Sequence, residues 1–176
     1  MSDIASDCVT RHEAVYSTPG LPAFECSLVD DRMMAGRNPL TERDAAWLTA
    51  AGVTHILDLR EDWEWAAPRF GAEAVRCLGP MRTHLPVRDM QAPASADLDA
   101  ACQFLTEHVS APQNLVYIHC RAGQERTAAV LIAYVARRDG LSYDDALAVL
   151  KQRRPTLRPL PVQEHAVRAW LLQHVE

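Results

Sequence analysis

The sequence predicts a single α/β domain: a central, mostly parallel twisted sheet of about five strands, flanked by helices. Three observations predict it. Short apolar runs rich in β-branched residues, Val53–Leu59 and Leu115–His119, read as buried strands. Longer segments with helical spacing follow them, which is the β-α-β order of a sheet with crossover helices. A length of 176 residues suits one domain with a two- or three-layer core.

Along the chain, residues 1–20 lack periodicity and end in the turn signal Thr18-Pro19-Gly20, so they read as a loose tail before a folded domain spanning 21–176. Ala23–Val29 and Arg32–Ala35 read as two short strands meeting at Asp30-Asp31. Thr41 is a good N-cap, with Asp44 three residues on as in a capping box, for a helix that Gly52 terminates. Val53–Leu59 runs into a loop carrying Asp58, Arg60, Trp63 and Trp65. In such sheets ligands gather beyond the carboxyl ends of strands, so this loop could help hold a substrate; the plainer alternative is that Asp58 and Arg60 pair structurally. Glu73–Leu78 reads as another strand, and a helix is expected over Ser95–Val109. After Leu115–His119, Thr127–Val135 is apolar at helical spacing, and the helix is expected to run over Thr127–Arg138. Ser142 then caps a helix reaching Gln152, and Pro161–Val175 is a final amphipathic helix. The basic, proline-punctuated connector Arg153–Pro159 between them is expected to face solvent or to favour acidic or multiply phosphorylated substrates.

Composition narrows the class. Hydrophobic content of 48% is ordinary for a globular protein, and no apolar stretch approaches a membrane span. Five cysteines without close pairing argue against a disulfide framework and suit a reducing compartment, so a cytoplasmic location is expected. A net charge of −5 gives no reason to expect nucleic acid or an anionic membrane as partner. The seven histidines are scattered without ligand spacing, so neither a metal nor another cofactor is expected.

The turn between Leu115–His119 and the following helix carries Cys120, Arg121, Ala122, Gly123, Gln124, Glu125 and Arg126. A loop from strand to helix converges backbone N–H groups on one point, and the helix N-terminus adds partial positive charge there. A thiol in that field is biased toward thiolate. The planar guanidinium of Arg126 can hold two oxygens of one phosphate, so phosphate is the natural ligand. Spacing alone proves little: Cys26–Arg32 repeats Cys-x5-Arg, yet lacks glycine, carries Asp30 and Asp31, and precedes no apolar helix. Expelling an alkoxide or phenolate from phosphorus also needs a proton donor on a mobile loop, and Asp89 sits in such a loop. The rival carboxylates Asp97 and Asp99 are explained by the first turn of a helix.

His119-Cys120-x-x-Gly123-x-x-Arg126-Thr127 resembles the His-Cys-x-x-Gly-x-x-Arg-Ser/Thr signature of the cysteine-dependent protein tyrosine phosphatases, and the short chain looks like their dual-specificity branch. The resemblance implies a phosphatase domain over 21–176 and a metal-independent, two-step hydrolysis of a phosphomonoester. Cys120 would attack phosphorus, Arg121–Arg126 would bind the phosphate, and Asp89 would act as general acid and then base. Thr127 would assist sulfur as leaving group, His119 would orient the loop, and Gly123 would serve backbone conformation. Gln163 resembles a glutamine that many members keep after the basic connector, a loop that by resemblance adjoins the active site. The implied substrates are phosphorylated proteins or other phosphomonoesters.

Some residues depart from the family pattern. Ala128 stands where glycine is common, and Gln124-Glu125 is an unusual filling in which Glu125 is tolerable only if turned outward. The loop has no lysine, whereas family members that hydrolyse phosphoinositides often carry one there, so the resemblance makes an inositol phosphate a less natural substrate, although Arg121 leaves room for a polyanion. A sulfurtransferase or arsenate reductase, or a catalytically weak phosphate-binding module, would use a similar cysteine loop.

Overall fold

The computed structural model of the chain describes residues 13–66 and 81–174. The expected strand at Glu73–Leu78, and Cys77 with it, lie outside them. Six strands among the described residues form one mixed sheet: β1 (Glu13–Tyr16), β2 (Phe24–Asp30), β3 (Met33–Gly36), β4 (His55–Asp58), β5 (Arg82–His84) and β6 (Val116–His119). Their spatial order is β1-β2-β3-β6-β4-β5. The first three pair antiparallel, whereas β3, β6, β4 and β5 run parallel. The fold class is therefore the expected one, with an antiparallel edge added.

Within the expected loose tail of residues 1–20, that edge corrects the reading for Glu13–Tyr16, and residues 1–12 lie outside the described ones. Glu13–Tyr16 pairs with β2, and Ala14 and Tyr16 turn inward against Phe24, the Tyr16 ring lying 5.4 Å from it. The Tyr16 hydroxyl donates to Asp44 at 2.7 Å. Four residues with two inward side chains are too short to show periodicity, so packing and not local pattern defines this strand.

Among the described residues six helices accompany the strands: α1 (Glu42–Ala50), α2 (Asp62–Ala66), α3 (Ser95–Val109), α4 (Arg126–Asp139), α5 (Tyr143–Arg153) and α6 (Pro161–His174). Thr41 and Asp44 form the expected capping box on α1. Ser142 caps α5 by accepting from the Asp145 N–H at 3.1 Å. Asp97 accepts the Ala94 N–H at 3.1 Å and so secures the start of α3, which accounts for this carboxylate without chemistry.

Strand alternation divides the core in two. Met33, Leu57, Val116 and Ile118 point to the face covered by α3 to α6, while Met34, Ile56 and Tyr117 point to the face covered by α1 and the first hairpin. Helix α4 is the hub: every residue from Arg126 to Ala136 is buried, and the helix packs on α3, α5 and α6. A helix apolar on nearly all sides needs neighbours all round, and α4 has them. Because α4 starts directly after β6, the loop between them is fixed at the carboxyl end of the central strand.

Candidate active site

Residues Cys120–Glu125 wrap a small cavity of about 130 Å³ at the start of α4, and its walls are Asp89, Cys120, Arg121, Ala122, Gln124, Glu125, Arg126 and Arg158. The loop can curl this tightly because of two glycines. Gly123 has φ +67°, and a Cβ on it would come within 1.9 Å of the Gly36 carbonyl oxygen. A Cβ on Gly36 would in turn meet the Cys26 side chain at 2.5 Å. The end of β3 thus presses directly on the cradle: a side chain at Gly123 would drive the two apart, and one at Gly36 would strike β2 and Tyr117.

The cradle is also tied from outside. Arg154, 4% exposed, donates from Nε to the Gly123 carbonyl at 3.2 Å and from Nη2 to Glu25 at 2.9 Å. The Arg158 N–H donates to the Gln124 carbonyl at 3.1 Å. The basic connector therefore adjoins the cradle as expected, but its Arg154 is turned inward and not to solvent. The reason is the pair of acceptors, a loop carbonyl and a carboxylate, that meet its planar fork.

Cys120 is 3% exposed. Burial acts to raise its pKa, but the Arg126 guanidinium, the Thr127 hydroxyl, and the N–H groups of Thr127 and Gln124 outweigh it, so the thiol is held below its ordinary value. The Thr127 hydroxyl is itself buried and has no nitrogen or oxygen partner among the described residues, which leaves it to the sulfur.

Arg126, 1% exposed, is oriented by a carboxylate that sequence reasoning missed. Nη1 and Nη2 donate to the two oxygens of Glu64 at 2.6 and 3.0 Å, and Nη1 also donates to the Val87 carbonyl at 3.2 Å. Glu64 is fully buried; burial acts to raise its pKa, and the bonds from Arg126 and the Glu61 N–H hold it below the ordinary value. The loop after β4 does reach the site, through Glu64. Asp58 and Arg60 pair with each other at 2.6 Å, both fully buried, as the structural alternative expects. The Trp65 ring lies against the guanidinium groups of Arg60 and Arg82, while Trp63 is exposed.

Asp89 stands at the lip of the cavity. One oxygen lies 3.2 Å from Arg126 Nη2 and the other 3.3 Å from Arg121 Nη2, while its N–H donates to Glu61 at 3.0 Å. The next residue, Met90, has φ +59°, a left-handed conformation unusual for a side chain of its size. His119 is fully buried, with Nδ1 3.0 Å from the Cys120 carbonyl oxygen, so Nδ1 carries a hydrogen. Burial lowers its pKa to about 4 despite Asp58 Oδ2 at 3.5 Å from Nε2. It is a neutral strut for the loop. Gln163 is buried too, but its side chain accepts the Leu160 N–H at 3.0 Å and is not among the cavity's walls. Among the described residues, no cluster of three His, Cys, Asp or Glu could hold a metal, and no helix is long and apolar enough to cross a membrane.

A buried cysteine at the floor of a strand-to-helix loop, on this sheet order, defines a class of fold, and the relatives belong to the same class. The profile of the family described as dual specificity phosphatase, catalytic domain, matches residues 39–172. The chain belongs to that family, the dual-specificity branch of the cysteine-dependent protein tyrosine phosphatases. Human dual specificity protein phosphatase 16 is 39% identical over 62 residues, 35% of this chain and 9% of that protein. Rat phosphatidylglycerophosphatase and protein-tyrosine phosphatase 1 is 24% identical over 136 residues, 77% of this chain and 70% of its own length. Among solved structures, PTPMT1 in complex with PI(5)P superposes with a TM-score of 0.71 at 22% identity, covering 84% of this chain and 95% of that one. Tk-PTP in its active form gives 0.70 at 26% identity, covering 82% and 95%.

Proposed function

We propose that this phosphatase domain hydrolyses phosphomonoesters through a cysteinyl-phosphate intermediate, without a metal. The observation that carries the proposal is the meeting of Cys120, Arg126 and Asp89 at one 130 Å³ cavity, with the arginine locked from behind by Glu64. The Cys120 thiolate attacks phosphorus in line with the leaving oxygen. The loop N–H groups and the Arg126 guanidinium stabilise the charge on the equatorial oxygens, and they need no reorganisation because protein contacts already fix them. Asp89, at the lip, delivers a proton to the departing oxygen. The carboxylate left behind then draws a proton from water as that water attacks the cysteinyl-phosphate. Thr127 donates to the sulfur and makes it a better leaving group in this second step. His119 and Gly123 hold the loop and touch no reacting atom.

Phosphorylated proteins, on tyrosine and on serine or threonine, are the proposed substrates, following the family. The chain spans only 9% of the length of human dual specificity protein phosphatase 16 and 14% of that of the Drosophila melanogaster dual specificity protein phosphatase Mpk3, so their substrates come to this chain only as a proposal. A second reading, a non-protein phosphomonoester, is favoured by the likeness to a rat protein named for both lipid and protein phosphatase activity and to a structure holding PI(5)P. The test is hydrolysis of 4-nitrophenyl phosphate that persists in EDTA, is blocked by vanadate and disappears in C120S. Phosphate or phosphopeptide binding without turnover would instead identify a binding module.

A further inference from the structure

Beside the cradle lies a second recess of about 310 Å³, walled by Gly20, Leu21, Pro22, Leu40, Arg37 and the Arg121–Ala122 edge of the cradle itself. Arg121 and Ala122 line both cavities, so the two are contiguous across one turn of backbone. We propose that this recess is a second anion subsite, in which Arg37 and Arg121 receive an acidic group carried by the same molecule whose phosphoryl group sits over Cys120. It rests on the phosphatase reading above and specifies the substrate class: a phosphomonoester bearing a second oxyanion, carboxylate or phosphate, at the end of a short hydrocarbon link.

The inference starts from Arg37. Its side chain is half-buried, yet its guanidinium has no hydrogen-bond or ion-pair partner among the described residues. The carboxylate best placed to pair with it, Glu25, is engaged by Arg154 at 2.9 Å. Burial lowers the Arg37 pKa; the charge of Glu25 acts against this, and that of Arg121 adds to it. A partly desolvated cation beside a second guanidinium favours an anion between the two, with Arg121 also 3.3 Å from Asp89. Guanidinium groups suit that role because each can donate twice to one carboxylate or phosphate.

The recess is also built and not incidental. The Arg37 N–H donates to the Glu25 carbonyl at 3.0 Å, the Tyr117 hydroxyl donates to the Arg37 carbonyl, and the Asn38 N–H donates to the Arg121 carbonyl at 3.3 Å. The segment after β3 is therefore fastened to both the hairpin and the cradle, so the two arginines keep their spacing. Leu21, Pro22, Leu40 and Ala122 supply apolar walls that a hydrocarbon link can cover.

The experiment measures competition by α,ω-alkanediol bisphosphates of increasing length against turnover of 4-nitrophenyl phosphate, with alkyl monophosphates of equal length as controls. At the best length, the wild-type protein is expected to hold the bisphosphate roughly tenfold to a hundredfold more tightly than the monophosphate, the worth of one or two charge-assisted hydrogen bonds. In R37Q that advantage should shrink to within about threefold, and in R37K, which keeps the charge but loses the fork, part of it should remain. A wild-type protein with no bisphosphate preference, or an R37Q protein that keeps the preference, overturns the subsite. If 4-nitrophenyl phosphate is not turned over at all, the phosphatase reading fails, and calorimetric titration of the same bisphosphates decides the subsite separately. Weaker binding to R37Q than to wild type supports it, and equal binding overturns it.

Discussion

Replacing Glu64 by glutamine isolates the contribution of one buried carboxylate to a site it does not line. Both Glu64 oxygens accept from Arg126, at 2.6 and 3.0 Å, and one of them also accepts the Glu61 N–H at 2.9 Å. Both side chains are excluded from water. In E64Q one oxygen becomes an NH2 group that must face an Arg126 N–H, so a donor meets a donor and part of the arginine's charge is left uncompensated. Removing one partner of a buried ion pair costs about 3–5 kcal/mol, and the bond that glutamine retains places E64Q near the lower end, at about 3 kcal/mol. For a domain of this size that corresponds to a fall in Tm of roughly 6–12 °C. The guanidinium would also lose its fixed direction, and a displacement on the order of 1 Å lowers kcat by about 100-fold. Thermal melts and 4-nitrophenyl phosphate kinetics on one preparation read both quantities. A variant with stability within about 0.5 kcal/mol of wild type, as for a neutral surface change, and with undiminished kcat would refute the idea that Glu64 orients Arg126.

Two other outcomes follow from the same geometry. D89N should lower kcat by about 10²- to 10⁴-fold for phenyl phosphate and by much less for 4-nitrophenyl phosphate, whose leaving group needs little protonation; equal losses for both would remove Asp89 from the acid's role. His119, with its pKa lowered to about 4, stays neutral in the folded protein where the unfolded chain, with an ordinary value of about 6.5, takes up a proton. The unfolded state thus binds more protons between those values, and stability falls as pH drops from about 6.5 to about 4. In H119N, whose amide can still donate to the Cys120 carbonyl, that part of the slope should disappear from denaturant midpoints measured across the window; parallel curves for the two proteins would contradict it.

What the sequence made legible was what is local. The Thr41–Asp44 capping box, the Ser142 cap and the Cys120–Arg126 loop each lie within seven residues, and each stands where expected. Asp89 was reached through the chemistry that a leaving group demands, together with its place between a strand and a helix. Glu64 and Arg154 were not reached, because what defines them is a partner far along the chain: Glu64 meets Arg126 across 62 residues, and Arg154 meets Glu25 across 129. Written out, Asp62-Trp63-Glu64-Trp65 looks like any acidic helix start. The Arg82–His84 strand was equally opaque, since three polar residues carry no apolar alternation and pair only because β4 lies beside them. Gln163 shows the converse case, a residue suggested by likeness whose side chain caps its own helix.

The position of β6 bears on how this protein comes into being. Met33 and His55 both face Val116, so the first hairpin and the β4–β5 pair have no direct contact through the sheet and share one neighbour that is synthesised much later. On the ribosome the two pieces wait with open edges, the kind of exposure that invites wrong pairings, until the intervening strand threads between them. Cys120 is the residue that follows that strand. The proposed nucleophile therefore takes its place in the same event that completes the sheet.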